Sequence, residues 1–231
     1  MYRPGKVKGI ATPIPLGLAA FGATTFLVGF AVIFETRGAW APYFAQALMF
    51  GGVAEFLAGI WSFAYGDALA ATTFSFVGVF YGWISMSHMS FVTPAHGAAP
   101  ALGLFSISTG MVFVVTGFVV LYLWFASFNE SATFNATLAA FFIALELFAI
   151  SLFTGVDIIG LIGGIFALIA GLCAFYGSFA EVYNATTMQE VMPMGEPLAM
   201  RERSEHYEYE RLRRLHQRSE AMHTPEGEIR P

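Results

Sequence analysis

The sequence predicts an all-α membrane protein with six transmembrane helices per protomer, and three observations carry that expectation. Of the 231 residues, 57% are hydrophobic and 12% are charged, whereas soluble domains carry about 25% charged residues. Apolar runs of about 20 residues, the length that crosses a bilayer, recur between short polar turns. All Lys and Arg lie at Arg3, Lys6, Lys8, Arg37 and from Arg201 onward, so none stands between Gly38 and Met200. A core so poor in cations excludes nucleic-acid binding, which needs basic surface against phosphates.

Residues 1–11 form a basic tail and residues 12–197 the six-helix core. The first span is expected over Pro15–Phe34. Pro13 and Pro15 stand at its front, where a fixed φ and a missing N–H suit the first helical turn. A signal peptide also begins basic and then apolar. Here the prolines interrupt that transition and no clean A-x-A site follows, so the segment reads as a retained span. A polar turn, Glu35 to Gly38, leads to a second span over Pro42–Tyr65 that contains Gly51, Gly52, Glu55 and Gly59. Gly66-Asp67 makes a tight connection, with Asp67 expected to cap a third span over Ala68–Met89. A loop with His88, Pro94, His96 and Pro100 precedes the fourth span, Ala101–Phe125. Asn129-Glu130-Ser131 turns the chain into the fifth, Ala132–Phe153, and Asp157 is expected to cap the sixth, Asp157–Tyr183. Residues 198–231 are a charged tail. Its Arg201–Arg218 stretch spaces Glu and Arg helically, as at Glu210 and Arg214, and reads as a solvated cytoplasmic helix.

Six spans place both termini on one side, and the basic tails make that side the cytoplasmic face of the plasma membrane. Pro15-Leu16-Gly17-Leu18 is echoed by Ala101-Leu102-Gly103-Leu104, and Phe80-Tyr81-Gly82 by Phe175-Tyr176-Gly177. The echo points to two inverted three-helix repeats, an architecture that binds substrate where the halves meet. Gly51, Glu55 and Gly59 are spaced to share one helical face, as are Gly160 and Gly164, and close helix packing is the plainer role of such faces.

Thr12, Pro13, Pro15, Leu16, Gly17 and Leu18 open a helix whose free N–H groups are followed by small residues, Phe21, Thr24 and Thr25. That combination reads as the lining of a route. Glu55 and Glu146 fall inside spans, where a carboxylate costs at least ~2.5–3.5 kcal/mol. With no Lys or Arg in the spans, burial disfavours the charged form. A neutral carboxyl can donate a hydrogen bond and exchange a proton, so both are candidate proton-coupling groups. The alternative for each is a protonated side chain bonded to a neighbouring hydroxyl or carbonyl, the reading that Phe142, Ile143 and Ile150 favour for Glu146. Phe21, Phe76, Phe80 and Tyr81 are candidates for an apolar constriction, which would gate by dewetting and favour small, partly apolar solutes. Lipid-facing Phe residues are the alternative. Cys173 has no partner for an internal disulfide. His88 and His96 lack a third ligand, so no metal site is expected. Neither a Gly-rich phosphate loop nor a nucleophile triad is visible, so no enzyme site and no cofactor are expected. A small monocarboxylate can be held by hydroxyls and a helix N-terminus, or can cross as the neutral acid.

Three blocks in order carry a resemblance. Thr12 to Leu18 read T-P-I-P-L-G-L, with Phe21 after them. The second block is Gly51-Gly52-Val53-Ala54-Glu55, Ala58-Gly59, Gly66-Asp67, Thr72, Phe74 and Gly78. The third is Gly177, Glu181-Val182, Asn184, Val191, Pro193 and Gly195-Glu196. The chain thereby resembles the acetate uptake transporter family, which includes succinate–acetate permeases. The resemblance implies a six-span protomer that assembles as a homohexamer in membrane lipid, each protomer with its own path. It also implies passage of acetate, succinate among related carboxylates, by proton-coupled uptake or channel-like flow. The family's narrow point joins the Phe after the first motif to a Tyr of the third helix and a Leu of the fifth. Phe21 supplies the first, Val77 stands at the Tyr position and Phe141 at the Leu position. The family's Gln of the second helix falls on Glu55, and its G-N-T becomes Gly66-Asp67-Ala68. A channel for another small anion or neutral solute, and a non-transporting receptor or scaffold with the charged tail as output, are the rival expectations.

Overall fold

A computed structural model describes residues 11–34, 45–92 and 102–198. The turn expected at Glu35 to Gly38, the His88 side chain, His96 and the charged tail lie outside the described residues. Among the described residues, six helices are long and apolar enough to cross a membrane. They are α1 (Ile14–Ile33); a second span from Ala45, in which a π-helical segment (Leu48–Glu55) runs into α2 (Phe56–Tyr65); α3 (Ala68–Val92); α4 (Leu102–Ala126); α5 (Ala132–Thr154); and α6 (Asp157–Thr187).

The helix ends follow local chemistry. Pro13 occupies the N-cap of α1 and Pro15 its first turn, where no N–H is needed. The Asp67 carboxylate accepts the Ala70 N–H at 3.0 Å and caps α3. Ser131 caps α5 by accepting from the Phe134 N–H at 3.3 Å. Asp157 does not cap α6, contrary to expectation. Val156 holds the N-cap, and Asp157 is the first helical residue, where its charge faces the positive end of the helix dipole. Gly66 (φ 84°) and Gly155 (φ 70°) end α2 and α5 in the left-handed conformation that glycine adopts most cheaply.

Small residues set the packing. α1 and α6 run antiparallel in close contact at 15 with 178, 22 with 171 and 29 with 164: Ser178 Oγ donates to the Pro15 carbonyl at 2.7 Å, and a Cβ on Gly29 would stand 2.6 Å from the Gly164 carbonyl oxygen. The seven-residue step keeps one seam facing its partner over two-turn repeats. Gly160 instead lies over Ser151 of α5, so Gly160 and Gly164 serve different neighbours rather than the single face that their spacing predicts. α2 and α3 form a second antiparallel pair, with Gly52 against Gly82, Phe56 against Gly78 and Gly59 against Ser75. Close approach through small residues is how helices associate where lipid removes the hydrophobic drive.

After α6 the chain folds back. Asn184 Oδ1 accepts the Val191 and Met192 N–H groups at 2.9 and 2.8 Å. The Met194 carbonyl then accepts from both the N–H and the hydroxyl of Thr133, at 3.0 and 2.9 Å. This strap satisfies donors of the first turn of α5, which have no partner within their own helix.

Candidate functional site: an aromatic constriction beside a buried carboxyl

Where α1, α3 and α5 begin and α6 ends, the bundle opens into a partly enclosed vestibule lined by Ile14, Leu18, Asp67, Phe134, Thr137 and Glu181 among others. Its inner wall is apolar. Phe74 and Phe134 meet edge to face with centroids 6.4 Å apart. Phe74 lies so close to α1 that a Cβ on Gly17 would stand 2.5 Å from its ring. The second residue of the G-L pair thus faces the wall as Leu18, and the glycine makes room for Phe74.

One turn deeper, three rings from three helices converge. Phe21 of α1 meets Phe141 of α5 edge to face at 4.9 Å and 87°. Tyr81 of α3 lies 6.4 Å from Phe21 and 6.1 Å from Phe141. All three are at most 3% exposed, and Val77, one turn before Tyr81, is fully buried beside them. Ring pairs of this kind contribute about 0.5–1.5 kcal/mol beyond burial. The α3 tyrosine that reaches Phe21 is therefore Tyr81, although Val77 stands at the position where the resemblance places it. The Tyr81 hydroxyl shares a hydrogen bond with Thr25 Oγ1. Thr24 instead donates to its own helix, to the Ala20 carbonyl at 3.0 Å, the usual outlet for a hydroxyl inside an apolar helix.

Glu55 closes the cluster on the side of the second span. It is fully buried, and neither carboxyl oxygen makes a hydrogen bond among the described residues. Its position follows from backbone packing. A Cβ on Gly51 would stand 2.8 Å from Tyr81 Cβ and 2.9 Å from Thr24 Oγ1, and one on Gly78 would stand 2.7 Å from the Phe56 nitrogen. Glu55 is therefore level with the turn of α3 that carries Val77, Gly78 and Tyr81. It is also the last residue of the π-helical segment. Such i→i+5 windings occur mostly as single turns within α-helices, often at functional sites.

Other candidates lie elsewhere. Glu146 is half-buried on the α4–α5 seam, its Oε1 over Gly117, and is not part of the ring cluster. Leu16 is 53% exposed on the outer face. The Thr72 hydroxyl donates to the Ala68 carbonyl at 2.8 Å, while Thr73 is buried with its hydroxyl unbonded among the described residues. Thr12 Oγ1 accepts the Ile14 N–H at 3.4 Å. Pro13 is buried and Pro15 half-buried. Phe80 packs on Tyr81 at 5.4 Å and on Phe113 at 5.5 Å, whereas Phe76 is half-buried. Thr73, Phe134 and Leu138, which the sequence does not single out, are also buried. All lie on faces recoverable only once the direction of each helix is known. Among the described residues no group of three His, Cys, Asp or Glu side chains could hold a metal ion.

Comparison with known proteins places this geometry in context. The family model described as the GPR1/FUN34/yaaH family matches residues 1–196. Acetate permease A of Emericella nidulans is 28% identical over 210 residues, covering 84% of this chain and 69% of its own length. The succinate-acetate/proton symporter SatP of Escherichia coli K12 is 26% identical over 193 residues, covering 81% of this chain and 96% of its own. The solved structure of the bacterial acetate channel SatP superposes with a TM-score of 0.73 at 24% identity, over 80% of this chain and 99% of that one. The six-helix fold is shared with that channel.

Proposed function

The chain belongs to the GPR1/FUN34/yaaH family, and from that premise we propose that it carries acetate and related short carboxylates across the membrane along a path through each protomer. The observation that supports this most is the closure of Phe21, Tyr81 and Phe141 between the vestibule and the mid-membrane hydroxyls of Thr24 and Thr25. An apolar constriction of this kind stops hydrated ions by dewetting and, on opening, favours small solutes with a hydrocarbon end. Leu18 of the first motif lines the vestibule one turn before Phe21, with Asp67, from the start of α3, also on its wall. The names of the relatives, an acetate permease and a succinate-acetate/proton symporter, agree with a short acid as cargo and with proton coupling.

The basic tails support an orientation with both termini, and with them the vestibule, on the cytoplasmic side of the plasma membrane. Large apolar side chains such as Trp61, Phe118 and Leu172 point outward, a surface that suits lipid and neighbouring protomers of a homohexamer. A second reading, a channel for a small neutral solute, draws on the absence of Lys and Arg from residues 38–200.

Labelled acetate uptake into liposomes containing the purified full chain tests the proposal. Saturable uptake, stimulated by an inward acid gradient and competed by other short monocarboxylates, is the expected result. Uptake no faster than in protein-free liposomes would overturn it, and acetate uptake indifferent to the proton gradient would favour the channel reading.

A further inference from the structure

We propose that Glu55 is the carboxyl-binding wall of the constriction: in its neutral form it donates a hydrogen bond to the carboxylate of the permeant acid, while Phe21 and Phe141 hold the hydrocarbon end. This rests on the acetate reading above and assigns the proton-exchanging group within it.

Four observations lead there. Glu55 is the fully buried carboxyl in the middle of the second span, and both of its oxygens are unbonded among the described residues. A buried polar group without a partner is costly, so a partner supplied in turn by the cargo relieves a cost the resting protein carries. The register of α2 on α3 holds the carboxyl level with the rings, not above or below them. The neighbouring hydroxyls of Thr24 and Tyr81 are already committed, to the Ala20 carbonyl and to Thr25. Glu55 is thus the polar side chain of the cluster that makes no hydrogen bond among the described residues.

Among the described residues, the surroundings offer no carboxyl, imidazole or amine to compete for the proton. Of the elements packed on the π-helical segment, α1 has no titratable residue, and α3 presents Tyr81, with the His88 side chain outside the described residues. The remaining titratable group on α2 is Tyr65, ten residues or about 15 Å further along the helix. No Lys or Arg occurs between residues 38 and 200 to pair with the carboxyl, and an unpaired charge at this depth costs several kcal/mol. Transfer balances simply. The Glu55 O–H bond breaks, its electron pair stays on Glu55, and the proton passes to a carboxylate oxygen of the permeant, which moves on as the neutral acid. A hydronium ion from the aqueous side then restores the Glu55 carboxyl.

The test uses the full chain in lipid and two readouts. Infrared difference spectra at neutral pH should show the carbonyl band of a protonated carboxylic acid that disappears in Glu55→Gln. Addition of heavy-carbon-labelled acetate should shift that band in the native protein. In liposomes, Glu55→Gln should keep acetate exchange within about tenfold, the equivalent of one hydrogen bond, but lose the dependence of net uptake on pH; Glu55→Asp should restore it. An acid band that ignores acetate while the protein transports it overturns the proposal, as does an unchanged pH profile in a Glu55→Gln protein that elutes like the native one. Saturable uptake of labelled methylammonium lost in Glu55→Gln, with acetate flux intact, would also overturn it, making Glu55 a cation site. If the native protein moves no acetate at all, the transport reading fails, and an acid band that persists unshifted retires this one separately.

Discussion

Two glutamates sit inside the hydrocarbon layer of this protein, and their surroundings are opposite. Glu55 is sealed between α1, the second span and α3, beside three converging rings, with neither oxygen hydrogen-bonded among the described residues. Glu146 is half-buried on α5, and its Oε1 rests on the open face of Gly117 in α4. The same side chain is thus enclosed by the packing in one place and partly open to the surroundings in the other. Position within the packing separates the carboxyl proposed to meet the permeant from one that can turn toward the surroundings.

The comparison can be broken most severely at the ring cluster that gives Glu55 its setting. Phe141→Ala should cost about 3–5 kcal/mol of stability, as large-to-small changes of a buried aromatic do. It should also admit longer monocarboxylates such as butyrate at the expense of selectivity for acetate. Thermal unfolding in detergent and a competition series of increasing chain length measure the two effects. An unchanged chain-length profile would remove Phe141 from the narrow point.

Next come the glycines under each carboxyl. Gly51→Val should cost about 1–3 kcal/mol through overpacking, because the new Cβ meets Thr24 and Tyr81 Cβ at 2.8–2.9 Å in a place where neither can retreat. Gly117→Val meets chiefly the far end of the Glu146 side chain, which can turn aside, so its loss should be clearly smaller. Equal unfolding temperatures for the two variants would mean that the two halves are equally yielding. Below Gly51→Val comes Tyr81→Phe, which removes the hydrogen bond to Thr25 at about 0.5–1.5 kcal/mol. The double variant with Thr25→Val should recover part of that loss, since both polar groups are then gone. A double-mutant cycle on thermal stability reports whether the pair is coupled.

The fold was legible because span length and the distribution of charge are one-dimensional signals. Phe21, Glu55 and Tyr81 could be singled out from type and depth alone. The π-helical segment could not: a change from i→i+4 to i→i+5 bonding leaves no mark in the composition of Leu48–Glu55. The tyrosine of the ring cluster was hard to place because position on a helix does not fix reach. Tyr81, one turn beyond Val77, is long enough to meet Phe21 from there. Phe80-Tyr81-Gly82 and Phe175-Tyr176-Gly177 look alike in sequence, yet Tyr81 is buried against Thr25 while Tyr176 is exposed and donates to the Pro193 carbonyl at 2.6 Å. Thr72 and Thr73 differ by one position and hence by about 100° around the helix, which is enough to send one outward and the other inside.

The smallest expected effect decides whether the contrast between the two carboxyls is about function or only about packing. Glu146→Gln removes the ionisable group and keeps the shape. The side chain is half-exposed to whatever surrounds the helix bundle, so it can already relieve an unfavourable charge by moving outward, as polar side chains near apolar surroundings do. Stability should change by no more than about 0.5 kcal/mol, the range of surface substitutions away from special features. The pH profile of acetate uptake should overlay that of the native protein, against the flat profile expected of Glu55→Gln. A flattened profile in Glu146→Gln would move proton exchange to the α4–α5 seam and make the sealed carboxyl beside the rings a structural group.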